Sequence, residues 1–240
     1  MRTPTSPTTG TFYTYIPIMG DRPTPVEYAV GLPETVKWLY HSEYYSDFTI
    51  KCGDTATFKV HKLVLHSRSA YFKGILNNAN GNITEVEVSE DPRIFTAILR
   101  YIYGYDFDGH PPQDMFMAQY CIAVSMLAEK YEMPDLPSRA AILFKEACSD
   151  DNGDLRISPK KLVDALYSIH ESGAPSDDQL WKFAGHIIQD NVGMLLADEE
   201  AGFVKACQDM PNLTAMLLSK LISRKDLYEL MKMKHNPKNE

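Results

Sequence analysis

The sequence predicts an α+β fold, a small three-stranded sheet flanked by helices and followed by an all-helical extension. Three observations carry this. Short runs of alternating apolar and polar residues end by Val88. Beyond that point apolar residues recur at helical spacing. Strand and helix patterns also never alternate as repeated pairs, which argues against a doubly wound parallel sheet.

The elements follow in order. Pro33 and Glu34 open a short helix with Val36, Leu39 and Tyr40 on one face, reaching about Tyr44. Phe48, Ile50 and Cys52 alternate with polar residues as a first strand. Gly53-Asp54 turns the chain into a second, through Phe58 and Val60. Leu63-Val64-Leu65 is a buried helical turn after His61. Ser69 then caps a helix bearing Tyr71, Phe72, Ile75 and Leu76. The run Asn77 to Asn82 is a loop, and Glu85 to Val88 alternates as a third strand.

Asp91-Pro92 starts a helix through Ile94, Phe95, Ile98, Leu99 and Ile102, stopped at Gly104. Phe116, Tyr120, Val124, Leu127 and Tyr131 recur as one face of another. Ser138 to Cys148 is a further helix. Ser158-Pro159 caps the next, and Ser176 with Gln179 forms a capping box for the one after. Shorter helices follow through Met231.

Composition bounds the function. Residues 1–33 hold six of the fifteen prolines and read as a flexible tail. Within it, Phe12, Tyr13, Tyr15 and Ile16 form either a strand for a sheet edge or a few aromatics in a disordered tail. The net charge of −8 argues against direct nucleic-acid binding, which needs clustered cations. Cys52, Cys121, Cys148 and Cys207 stand 27 or more residues apart, so they read as buried thiols and not as a zinc site. Free thiols fit a reducing compartment. The first residues lack a signal-peptide core, and no apolar run is long enough to span a membrane. A soluble intracellular protein, cytoplasmic and/or nuclear, is expected.

Catalytic and metal chemistry find no residues to carry them. His61 sits at a strand-to-helix junction with no serine or cysteine partner, so a structural role is expected. Asp150, Asn152 and Asp154 have the spacing of half a calcium loop, but Leu155 and Lys161 stand where glycine and glutamate are needed. That stretch is expected to be an interdomain turn. No enzyme activity, cofactor, metal or small-molecule substrate is expected.

Taken in sequence, Asp47-Phe48-Thr49-Ile50, then Phe58-x-Val60-His61-Lys62-x-Val64-Leu65, then Ser69-x-Tyr71-Phe72 resemble the BTB/POZ signature. Val86-Glu87-Val88-x-Glu90-Asp91-Pro92-x-x-Phe95, Leu99-x-Tyr101-Ile102-Tyr103 and the stretch from Ala123 to Leu136 continue the resemblance. It covers residues 34–148, leaving 1–33 as the tail and 149–240 as a helical C-terminal extension. The arrangement is similar to stand-alone BTB proteins of filamentous fungi.

The resemblance implies protein–protein contact as the function. It implies a substrate adaptor that links a client to a cullin-type ubiquitin ligase, or alternatively a homo-oligomerising or corepressor-recruiting scaffold. It places Asp47 and Lys62 in a charged pocket, with local backbone capping by Asp47 as the other reading. It also sets Ile83-Thr84-Glu85 as an apolar-x-Glu docking triplet, with Ile83 and Glu85 as its contacts, or else as plain strand residues. Dimeric relatives use a long helix before the first strand and a swapped N-terminal strand. Here that helix is short, and only Phe12–Ile18 offers such a strand.

Overall fold

The computed structural model of the protein describes residues 31–78, 82–107, 109–175 and 178–219. They form two compact units. One holds the described residues up to Phe107 together with Lys130–Met133; the other holds the remainder.

The first unit is built on the sheet. Strands β1 (Phe48–Cys52) and β2 (Ala56–Val60) bury every second residue, as their alternation requires. They pair antiparallel, with Ile50 opposite Phe58. Gly53, at φ 55°, makes the turn between them in a left-handed conformation that suits glycine. The chain then passes through α2 (Lys62–Arg68) and α3 (Ala70–Asn78) and returns as β3 (Glu85–Val88). That crossover makes β3 parallel to β1, and the strand order is β2-β1-β3. Helix α1 (Leu32–Ser42) precedes the sheet and α4 (Pro92–Ile102) follows it.

Aromatic rings fill the core of this unit. Phe72 and Tyr131, both fully buried, stack with centroids 5.4 Å apart and planes 14° off parallel. Phe95 meets Tyr131 at 5.3 Å and Phe58 at 5.6 Å. Ser69 ties this cluster to the backbone: its hydroxyl donates to the Tyr131 carbonyl at 2.6 Å and accepts from the Phe72 N–H at 3.3 Å. The expected Ser69 cap is therefore present.

Asp91 also caps as expected, accepting the Arg93 N–H at 2.8 Å ahead of Pro92. Its carboxylate pairs with the Arg93 guanidinium, which holds the acid below its ordinary 3.8. Replacing Asp91 by alanine is expected to cost about 1 kcal/mol in urea unfolding, the usual worth of an N-cap.

The second unit is helical: α5 (Met117–Lys130), α6 (Leu136–Cys148), α7 (Pro159–Glu171), α8 (Gln179–Ala197) and α9 (Phe203–Asp209). Lys130, the last residue of α5, belongs to the first unit. Residues 211–219 are helical as well. Phe144, Leu166, Ile169, Ile188 and Phe203 are buried in its core. Burial pushes the Cys121 and Cys148 thiols each up to about 12, so both stay protonated near neutrality.

Several details depart from the sequence reading or fall beyond it. Helix α1 starts at Leu32, before Pro33, and α3 runs on through Asn78, into the stretch expected to be loop. Ser176 lies outside the described residues; α8 is capped instead by Asp178, which accepts the Leu180 N–H at 2.7 Å. The Asp150 carboxylate accepts the N–H groups of Asn152 and Asp154, both at 2.9 Å. This makes the stretch a turn, as expected, but one lying inside the second unit. Phe12–Ile18 and the helical signal near Met231 lie outside the described residues.

Candidate protein-interaction surface

His61 organises the junction between sheet and helices in the first unit. It is the N-cap residue of α2 and is 6% exposed. Its Nε2 lies 2.7 Å from the Tyr44 carbonyl, which only accepts, so Nε2 carries the proton. The bare Nδ1 then accepts from the Tyr103 hydroxyl at 2.7 Å, and that same oxygen accepts the His61 backbone N–H at 3.0 Å. Both ring nitrogens are taken up by the fold, the structural role expected of this residue. Burial pushes the Tyr103 phenol well above its ordinary value of 10, so it stays a donor.

The structure brings Asp47 and Lys62 together. Asp47 Oδ1 accepts the Lys62 backbone N–H at 2.8 Å, satisfying one of the first donors of α2. Asp47 is exposed and Lys62 half-buried, and this contact is the local backbone capping by Asp47 given as the other reading. Ile83 and Glu85 stand elsewhere, on the other side of β1 from β2. Ile83 is half-buried just before β3. Glu85 is the first residue of the strand, and its carboxylate pairs with Lys51 on β1 at 2.9 Å.

Two features escape sequence reasoning. The first is an apolar surface around α1. None of the helix's residues is fully buried, and Trp38 stacks on Tyr44 at 5.8 Å. Tyr44, Tyr45 and Leu63 are 65%, 85% and 80% exposed. The Tyr44 carbonyl bonded to His61 places Tyr44 beside the start of α2, where Leu63 lies.

The second is a cleft of about 380 Å³ beside β3, with Gly53, Tyr71, Glu87, Ser89, Lys130 and Tyr131 around it. Beside it Glu90, with a side chain only 7% exposed, pairs with the Lys130 ammonium. Burial alone raises Glu90, but hydrogen bonding and charge from Lys130, its own backbone and Tyr131 outweigh it. The acid is held below its ordinary 4.5. Burial, then the Glu90 charge, push the Tyr131 phenol above its ordinary 10.

The sign of the linkage is fixed by that depressed value. Glu90 stabilises the fold above pH 4.5 and loses this contribution as pH falls through its lower folded-state value. In Lys130→Gln the burial stays and the cation goes. The Glu90 carboxyl is then expected to titrate at higher pH, and acid unfolding to begin earlier. Carbon-detected carboxyl titration by NMR reads this directly; an unmoved Glu90 would contradict the pairing.

Among the described residues, no helix is long and apolar enough to cross a membrane, and no cluster of three or more His, Cys, Asp or Glu is placed to hold a metal.

Comparison with known proteins bears on these features. The model of the BTB/POZ domain matches residues 37–146. "BTB/POZ and MATH domain-containing protein 3" of Arabidopsis thaliana is 28% identical over 144 residues, covering 53% of this chain and 34% of that protein. The chain thus spans about a third of the length of this relative. The relative is from a plant, so the match supports the domain and not the fungal arrangement read from the sequence. The matched region runs from α1, through the sheet with its parallel β3 and the His61–Tyr103 junction, to α6. Residues 37–146 are a BTB/POZ domain, a protein–protein interaction module.

Proposed function

We propose that this chain is a substrate adaptor, in which the BTB/POZ domain docks a cullin-type ubiquitin-ligase scaffold. The client is held by the helical extension, residues 149–240, or by the segment before residue 34. The supporting observation is the exposure of Tyr44, Tyr45 and Leu63, with the Tyr44 carbonyl bonded to His61 at the start of α2, two residues before Leu63. Exposed large apolar groups gathered in one place mark contact surfaces, because leaving them in water forfeits burial energy. The reading places the protein inside the cell, in the cytoplasm, the nucleus or both.

Pulldown with tagged full-length chain, probed for cullin, tests the proposal. Cullin recovery is expected with the native chain and is expected to fall in the Tyr45→Ser, Leu63→Ser double variant, whose melting temperature stays within a few degrees. Equal cullin recovery by the two chains would remove this surface from the docking role.

An α1 with no fully buried residue favours a second reading, self-association or corepressor recruitment through that helix, with no ligase. Light scattering separates it: a stable dimer with no bound cullin supports the scaffold.

A further inference from the structure

Among the described residues, strand β3 ends the sheet, with only β1 beside it. The Thr84 carbonyl accepts from Thr49 N–H and the Val88 carbonyl from Gly53 N–H, each at 2.9 Å. In a parallel ladder alternate residues turn both backbone groups to the same neighbour. Thr84, Val86 and Val88 therefore face β1, while Glu85, Glu87 and Ser89 turn their N–H and C=O groups away from it. An edge of this kind is a template for another strand.

The ligand-sized space lies along that same edge. Glu87 and Ser89 line the cleft of about 380 Å³, and half-buried Tyr71 forms part of its wall. Its charge follows from the pairs around it. Lys51 is matched by Glu85 and Lys130 by Glu90. Exposed Glu87 makes no ion pair with the described residues and leaves a net negative charge at the lip. Extended backbone is the ligand whose donors and acceptors repeat at the spacing of Glu85, Glu87 and Ser89.

We propose that the open edge of β3 accepts an extended peptide segment of a partner protein as a fourth strand. The segment carries lysine or arginine in register with Glu87 and an apolar side chain two residues away, for Tyr71. This goes beyond the adaptor proposal and needs neither cullin nor a dimer, so either can fail without the other.

The test screens a displayed library of random short peptides against the full chain, then follows the tightest binder by amide hydrogen exchange. Binders are expected to share the basic-x-apolar pattern and to slow exchange at the Glu87 and Ser89 amides. Glu87→Lys is expected to weaken binding about fivefold, and a peptide with glutamate replacing its basic residue to recover it. A screen with no binder overturns the proposal, as do binders indifferent to Glu87→Lys. Slow exchange of these two amides in the peptide-free chain also overturns it, because the edge is then already covered.

Discussion

Phe72→Ala is expected to lower the unfolding free energy of the first unit by roughly 3–5 kcal/mol, the usual cost of removing a buried ring. Phe72 is fully buried and lies against Tyr131 on one side and Tyr71 on another, with centroids 5.4 Å away in both cases. Alanine leaves a cavity against the face of Tyr131, and the rings around it are held by neighbours that cannot all move in. Tyr131 touches Tyr71 at 4.9 Å and Phe95 at 5.3 Å, and its carbonyl is fixed by Ser69. Native-state hydrogen exchange at the amides of β1 reads the loss in this unit separately from the helical one. A change below about 1 kcal/mol would place the ring outside the core.

Tyr103→Phe is expected to cost about 1–3 kcal/mol, because it removes one oxygen and strands two buried partners. The His61 backbone N–H loses its acceptor, and the bare Nδ1 loses its donor. The ring itself stays and its packing on Tyr40, at 5.4 Å, is kept, so the loss isolates the hydroxyl. Nitrogen-15 NMR of the native His61 ring supplies an independent check, and the Nε2–H tautomer is the expected result. A variant within about 0.5 kcal/mol of the native chain, in the range of neutral surface changes, would contradict this network.

Local signals were legible in the sequence, and long-range ones were not. The alternation of Phe48, Ile50 and Cys52 marks β1 because a strand's side chains switch faces at every residue. Asp91-Pro92 and Ser158-Pro159 mark helix starts because cap and proline act within one turn. His61 was readable as structural from its junction position, but Tyr103, forty-two residues on, was not nameable as its partner. The Glu90–Lys130 pair is likewise forty residues apart in sequence and is created only by the fold. Local competition explains the nearer misses. Asp178 caps α8, one residue before Gln179 of the expected capping box. At Asn77 and Asn78, weak helix formers stay helical because α3 is anchored by buried Phe72 and Leu76.

The candidate contacts divide along the same line. Asp47 and Lys62 do meet, with the Asp47 carboxylate accepting the Lys62 backbone N–H, a contact that residue types alone do not specify. Glu85 finds Lys51 because parallel pairing of β3 with β1 sets them on one face. The exposure of Tyr44, Tyr45 and Leu63 is a tertiary property, visible only once the surrounding elements are placed.

Affinity purification of the tagged full-length chain from cells of its source, with mass spectrometry of what it retains, tests the adaptor proposal most directly. The expected result is a cullin together with at least one client whose retention survives loss of the cullin contact. A well-expressed chain that retains no cullin and scatters light as a stable dimer would contradict it.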